Sequence, residues 1–255
     1  MDTIISGVHR ISGGYVNAYL IDGDEGVTLV DTLLPKKEGT ITKALADIGR
    51  SISDVSAIVL THSHADHTGS AAAVKQASGA AVFASAGDVA AVRGQEKPPP
   101  PPMGDRFPFL KPIMRLFPAP PPVVVEHVIG EGIDGRLPED LKVIDTPGHT
   151  PGHVSFLLER DGGLLFVGDA AVTKKGEITR GWMNRAEPTF DASLRHVAEF
   201  EFESAVFGHA APRRSGAAQA FRRFASSMTP RAFSWLSQNE GPAIWASNSS
   251  IRERR

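Results

Sequence analysis

Within the stretch Thr61-His62-Ser63-His64-Ala65-Asp66-His67-Thr68-Gly69, three imidazoles and a carboxylate fall inside six residues. Imidazole nitrogen and carboxylate oxygen are ligands of divalent metals, zinc foremost. His62 and His64 alternate just after the apolar run Ala57-Ile58-Val59-Leu60, so both can face the same side of an extended chain. Asp66 and His67 come where the chain turns into a small-residue helix. Four side chains this close converge poorly on one ion. Divided between two neighbouring ions they make two half-sites, His62 with His64 and Asp66 with His67, each needing further ligands from elsewhere.

Such ligands recur at the ends of other apolar runs. Asp145-Thr146-Pro147-Gly148-His149-Thr150-Pro151-Gly152-His153 follows Leu141–Ile144, Asp169 follows Leu164–Val167 and Gly168, and His209 follows Ala205–Phe207 and Gly208. A lone polar residue after a strand is ordinarily a loop residue or a cap. The weight lies in the repetition of strand, glycine and ligand. His9, His127 and His196 stand outside these patterns and suit packing roles, whereas Tyr15 and Tyr19 suit the core or a pocket wall. Trp182 and Met183, in the run GWMN, could line a pocket mouth or pack in the core.

The elements that must position these groups follow from periodicity. Val16–Ile21 and Val27–Asp31 read as strands joined by a glycine turn, residues 36–48 as a helix, Val55–Leu60 as a buried strand, residues 69–77 as a helix and Ala80–Ala84 as a strand. Further strands are expected at Val123–Val128, Leu141–Ile144, Val154–Leu158, Leu164–Val167 and Ser204–Phe207, with Asp161-Gly162-Gly163 as a hairpin turn. Asp191 to Phe200 reads as a helix capped by Asp191, and residues 215–226 as a basic amphipathic helix. The order suggests two sheets with helices outside.

Residues 98–122 break the pattern. Prolines at 98–102 and at 118 and 120–122 enclose RFPFLKPIMRLF, and neither run can sit in a helix interior or a central strand. One reading is a surface loop. The other is an apolar cap in which Phe107, Phe109, Met114 and Phe117 contact substrate; the same face would suit a homodimer contact.

Composition narrows the class. With 255 residues, 41% apolar and 22% charged, the chain suits a large globular domain, here placed at residues 1–230 with a poorly ordered tail at 231–255. A net charge of −2 without a basic block argues against nucleic acid and membrane partners and leaves a small-molecule substrate. The absence of cysteine excludes thiolate metal sites and thiol catalysis. No signal-like segment opens the sequence, so a cytoplasmic location is expected.

THSHADH, with Asp31 upstream and TPGHTPGH, VGDA and FGHA downstream in that order, resembles the metallo-β-lactamase fold superfamily of metallo-hydrolases over residues 8–225. The resemblance implies an α+β fold, a four-layer αβ/βα sandwich of two mixed sheets flanked by helices, with metals at one edge of the sheets. It implies one ion on His62, His64 and His149 and a second on Asp66, His67 and His209, with Asp169 bridging them. Asp66 would also orient the nucleophile, Asp31 would orient a ligand from behind, and His153 would support the site. Two divalent ions, zinc first and manganese or iron as alternatives, would then hold a bridging hydroxide that cleaves an ester, lactone, thioester or phosphoester bond.

The glyoxalase II and lactonase branches are the most similar. The lactonase tyrosine after the bridging aspartate is missing, since the only tyrosines are Tyr15 and Tyr19. The lack of a cysteine ligand and the bridging aspartate speak against a zinc β-lactamase. The alternative of another class is a persulfide dioxygenase-like enzyme with a single iron, in which Asp66 would not be a ligand.

Overall fold

The computed structural model describes residues 1–99, 120–132, 137, 141–181, 184 and 188–228. Phe107, Phe109, Met114 and Phe117 of the expected cap lie outside the described residues, as do Trp182, Met183 and the tail from residue 229.

The first sheet holds β1 (Asp2–Ile5), β2 (Val8–Ser12), β3 (Asn17–Gly23), β4 (Gly26–Val30), β5 (Val55–Val59), β6 (Ala81–Ser85) and β7 (His127–Ile129), side by side in chain order. The strands from β1 to β4 are antiparallel, and those from β4 to β7 are parallel. Parallel neighbours need crossovers, which α1 (Glu38–Asp47), the short α2 (Ala65–Thr68), α3 (Ala71–Ser78) and α4 (Val89–Val92) help to supply. The second sheet holds β8 (Leu141–Asp145), β9 (Val154–Leu158), β10 (Leu164–Phe166) and β13 (Ser204–Val206) in the order β13-β10-β9-β8. Only the β10–β13 pair is parallel there. β11 (Val172–Lys174) and β12 (Glu177–Thr179) form a separate hairpin, and α5 (Pro188–Val197) and α6 (Ala217–Ser227) follow.

The period-two alternation of the strands sorts their side chains into three apolar layers. Leu20, Leu29 and Ile58 meet Ile41, Leu45 and Val74 of α1 and α3 on one side of the first sheet. Their neighbours Tyr19, Ile21, Val30 and Val59 point the other way and meet Phe156, Leu158, Phe166 and Val206 between the sheets. Leu157, Leu165 and Ala205 face outward against Phe190, Leu194 and Phe221 of α5 and α6. Three apolar layers require four layers of backbone. The fold is therefore the αβ/βα sandwich, each fully buried large side chain contributing about 1.5–3 kcal/mol.

Two local expectations need correction. Residues 123–128 do not pair throughout: β7 begins only at His127, because Pro122 offers no donor and the Val123 N–H turns to the Val92 carbonyl at 3.1 Å. Asp191 is not the N-cap of α5. The helix starts at Pro188, where a missing N–H costs little, and Asp191 lies in its first turn, ion-paired with Arg180.

Candidate metal centre

Every group of the centre sits just beyond the carboxyl end of a strand. Asp31 follows β4, Thr61 to His64 follow β5, His149 lies in the loop after β8, Asp169 follows β10 and His209 follows β13. Where neighbouring parallel strands end together their loops splay apart, and ligand sites form there. The structure accordingly gathers His62, His64, Asp66, His67, His149, Asp169 and His209 at one edge of the two sheets. Their donor atoms form three overlapping triplets: His62, His64 and His149; His62, His67 and Asp169; and Asp66, His67 and His209. His9, His127 and His196 take no part in them.

The outer nitrogen of each imagined ligand is already committed. His67 Nδ1 donates to Asp31 Oδ2 at 2.7 Å, His149 Nδ1 to Asn184 Oδ1 at 2.6 Å, and His209 Nδ1 to the Tyr15 carbonyl at 2.8 Å. His64 Nε2 donates to the Pro99 carbonyl at 2.9 Å. The Thr61 hydroxyl donates to Asp31 Oδ2, so it accepts from His62 Nδ1 at 3.0 Å. Each ring thus turns its other nitrogen inward. Such outer partners fix the tautomer and the orientation of metal-binding imidazoles.

The inward nitrogens crowd one another. His64 Nδ1 lies 2.9 Å from His149 Nε2 and 3.1 Å from His62 Nε2, and His67 Nε2 lies 3.4 Å from His209 Nε2. Tetrahedral bonds of 2.0–2.1 Å would space ligand atoms roughly 3.3 Å apart. Asp169 supplies a second test. Its Oδ2 approaches His149 Nε2 at 3.4 Å and His209 Nε2 at 3.2 Å, so one carboxylate touches both halves of the cluster. Its Oδ1 is buried without a hydrogen bond and lies 3.5 Å from His67 Nε2. A buried anionic oxygen left unbonded is costly. A cation at this point would satisfy it, and the donor set fits divalent metal.

The charge states of the two halves differ. Burial and the neighbouring imidazoles hold His62 well below the ordinary histidine range, and burial pulls His64 down to about 4. Burial opposes charge on His67 and His209 as well. There, however, Asp169 and Asp31 carry His67 up to about 9, and hydrogen bonds to Asp169 and Asp66 carry His209 up to about 11. Burial likewise works against ionised Asp66, but the bond from His209 brings it down to about 2. Protons thus stand in the second half of the cluster where a cation would stand.

Asp31 lies behind the ligands and positions other groups. It accepts from the Thr61 N–H at 2.9 Å, from the Thr61 hydroxyl and from His67, and it makes no approach to the inner face. His153 likewise sits behind the centre: its Nε2 accepts the Asp169 N–H at 3.0 Å while its Nδ1 meets Thr146. Gly168 has φ +56° and its missing Cβ would stand 2.7 Å from that Nε2, so glycine is required there. Gly208 is equally confined, since a Cβ would lie 2.2 Å from Asp169 Oδ1.

Three positioning groups escaped the sequence reading. Asp88, buried after β6, accepts the Ser63 N–H at 2.7 Å, the Gly152 N–H at 2.8 Å and the Thr150 hydroxyl at 2.8 Å, tying the two histidine loops together. Asn184 holds His149 through its carbonyl and donates to the Asp169 carbonyl at 2.6 Å. Pro99 is the third. Only Asn184 had a signal, as the polar residue closing GWMN.

A family model for the metallo-beta-lactamase superfamily matches residues 11–209, which takes in the whole cluster. The chain belongs to that superfamily. It is 30% identical over 176 residues to the probable metallo-hydrolase YflN of Bacillus subtilis, covering 67% of this chain and 66% of that protein. It is also 30% identical over 155 residues to a hydroxyacylglutathione hydrolase of Cereibacter sphaeroides, covering 60% of this chain but only 47% of that enzyme. Among solved structures, the metallo-beta-lactamase MIM-2 superposes with a TM-score of 0.66 at 22% identity, covering 88% of this chain and 85% of that one. BJP-1 of Bradyrhizobium japonicum, a subclass B3 metallo-beta-lactamase, gives 0.62 at 22% identity over 90% of this chain and 83% of its own. These structures share the superfamily fold. Among the described residues no helix is long and apolar enough to cross a membrane.

Proposed function

We propose that the protein is a binuclear metal-dependent hydrolase acting on an ester, lactone, thioester or phosphoester bond of a small, apolar substrate. The observation that carries this reading is Asp169, one carboxylate whose Oδ2 lies 3.4 Å from His149 Nε2 and 3.2 Å from His209 Nε2 while its Oδ1 is buried without a hydrogen bond. His62, His64 and His149 would hold one divalent ion and Asp66, His67 and His209 the other. Bound there, the ions supply a water of lowered pKa as nucleophile and a Lewis acid for the oxygen of the scissile bond.

The chain's own residues do the rest. Asp66 stays ionised at neutral pH and is partly open to solvent, with 22% of its side chain exposed, so its carboxylate can accept a hydrogen bond from the attacking water. Asp31, Asn184 and the Pro99 and Tyr15 carbonyls keep the imidazoles aimed inward. Thr146, His153 and Asp88 hold the loops from which the ligands project.

The single-iron redox alternative would leave Asp66 outside the centre. Its Oδ2 lies 3.4 Å from His209 Nε2, which favours the binuclear reading. The test is metal content combined with a substrate panel. About two zinc, manganese or iron ions per chain, with turnover of at least one of a lactone, thioester, aryl ester or phosphotriester, is the expected result. One iron per chain with oxygen consumption would overturn it.

A further inference from the structure

Leu33 is fully buried and stands at φ +61°, and Asp31 two residues before it stands at +58°. Glycine takes left-handed backbone freely, whereas a residue with a side chain is strained there. Such strain persists where surrounding contacts over-determine it, and it gathers at functional sites. The contacts of this loop after β4 point to one half of the metal centre. Asp31 holds the His67 ring, the Thr32 N–H and hydroxyl both donate to the His67 carbonyl at 2.6 and 2.9 Å, and the Leu33 carbonyl accepts the Gly69 N–H at 3.0 Å. Consecutive residues of the loop thus grip α2, which carries Asp66 and His67.

The Leu33 side chain reaches the other way, to the turn between β2 and β3. A Cβ on Gly13 would meet its Cδ2 and Cδ1 at 2.8 and 3.3 Å, so Leu33 fills the space that a side chain at residue 13 would take. The turn is closed by the Gly13 N–H on the Val16 carbonyl at 2.8 Å, and it is stitched to the segment of His209. The Asn17 N–H donates to the Gly208 carbonyl at 2.8 Å, and the Asn17 amide donates to the Phe207 and Ala210 carbonyls at 3.0 and 3.1 Å. The Tyr15 carbonyl receives the His209 N–H. Leu33 is therefore tied through its backbone to the His67 segment and through its side chain to the turn that holds His209. The Nε2 atoms of those two imidazoles lie 3.4 Å apart. A glycine at residue 33 would free the backbone but leave the two segments unlinked.

We propose that Leu33 is a positioning residue, a buried wedge that sets His67 against His209 and so fits the open half of the centre to its ion. The proposal rests on the binuclear reading, and its test does not need turnover. Cobalt(II), whose visible absorption reports the geometry of its ligands, is titrated stepwise into the metal-free protein and followed by absorption and calorimetry. The wild type should take up two ions. Leu33→Gly relaxes the backbone and removes the wedge, and Leu33→Ala keeps the strain and removes the wedge. Both should bind the ion of Asp66, His67 and His209 about tenfold more weakly, the low end for groups that orient ligands from behind. The absorption of that ion should change, while the ion of His62, His64 and His149 keeps its affinity and its spectrum. Leu33→Met refills the space and should restore the affinity to within about twofold, as volume-conserving exchanges are the best tolerated in a core.

A role confined to core packing would lower the thermal midpoint of the truncated variants and leave both cobalt affinities unchanged, or weaken or abolish both alike. Either result overturns the proposal, as does failure of Leu33→Met to restore the weaker ion. A wild-type chain that takes up a single ion overturns the binuclear reading, and this proposal with it, before any variant is compared.

Discussion

The two halves of the cluster are built from similar side chains and set up in opposite ways. His62, His64 and His149 are all buried, and their environment favours neutral rings ready to bind. Asp66, His67 and His209 meet the solvent at two of three positions, and in the absence of cations the acids there hold protons on both imidazoles. The buried half is suited to retaining an ion. The open half is suited to exchange, whether of protons, water or substrate. Asp169 joins the two, and one substitution there should affect both.

The largest effect is accordingly expected for Asp169→Ala. Metal analysis should find both ions depleted, and turnover of any substrate found should fall by about a thousandfold or more, as expected when both ions are lost from a two-metal site. Retention of two ions would break the comparison at its joint. His209→Ala should act on one side only, leaving about one ion per chain, held by the buried triplet. Loss of both ions in that variant would show that the halves are not separable.

Asp31→Asn sharpens the same contrast from behind. Asp31 has φ +58°, a left-handed conformation that asparagine also tolerates, so the backbone need not move. The variant weakens the hold on His67, which should lower affinity for the second ion by about 10- to 100-fold while the first is spared. Competition with a chelator, followed ion by ion, measures this. Equal weakening of both ions would place Asp31 behind the whole centre.

The smallest effect is a pH dependence of the metal-free chain. His64 is lowered in the fold to about 4, so between pH 6.5 and 4 the unfolded chain binds more protons, and stability falls as acid is added. His67 is raised to about 9, so its contribution is complete below pH 6.5 and is lost as pH rises through 9. Thermal midpoints of the metal-free protein should pass through a maximum between these windows. Midpoints that climb steadily to pH 9 would contradict the charge states assigned to the open half.

Much of this was legible in the sequence because ligands and strand ends are local signals. The H-x-H-x-D-H run, Gly168-Asp169 and Gly208-His209 each mark their own position, and the apolar alternation of Tyr19 to Ile21 and of Phe156 to Leu158 already holds the two-sided sorting of the sheets. Asp88 and Pro99 carry no local mark. Their roles exist only because β6 and the turn after α4 come to lie beside the histidine loops. Tyr15 reads from the sequence as core or pocket wall, and only the fold brings it beside a residue 194 positions away. The start of α5 was misplaced for a related reason: the Asp191 carboxylate looked like a cap but is taken by Arg180.

Whether one carboxylate joins two cations can be seen in a crystal structure of the metal-loaded protein, with anomalous scattering measured at the metal edge. Two anomalous peaks are expected, one among His62, His64 and His149 and one among Asp66, His67 and His209, with Asp169 contacting both. A single peak, or two peaks with Asp169 turned away from either, would contradict it.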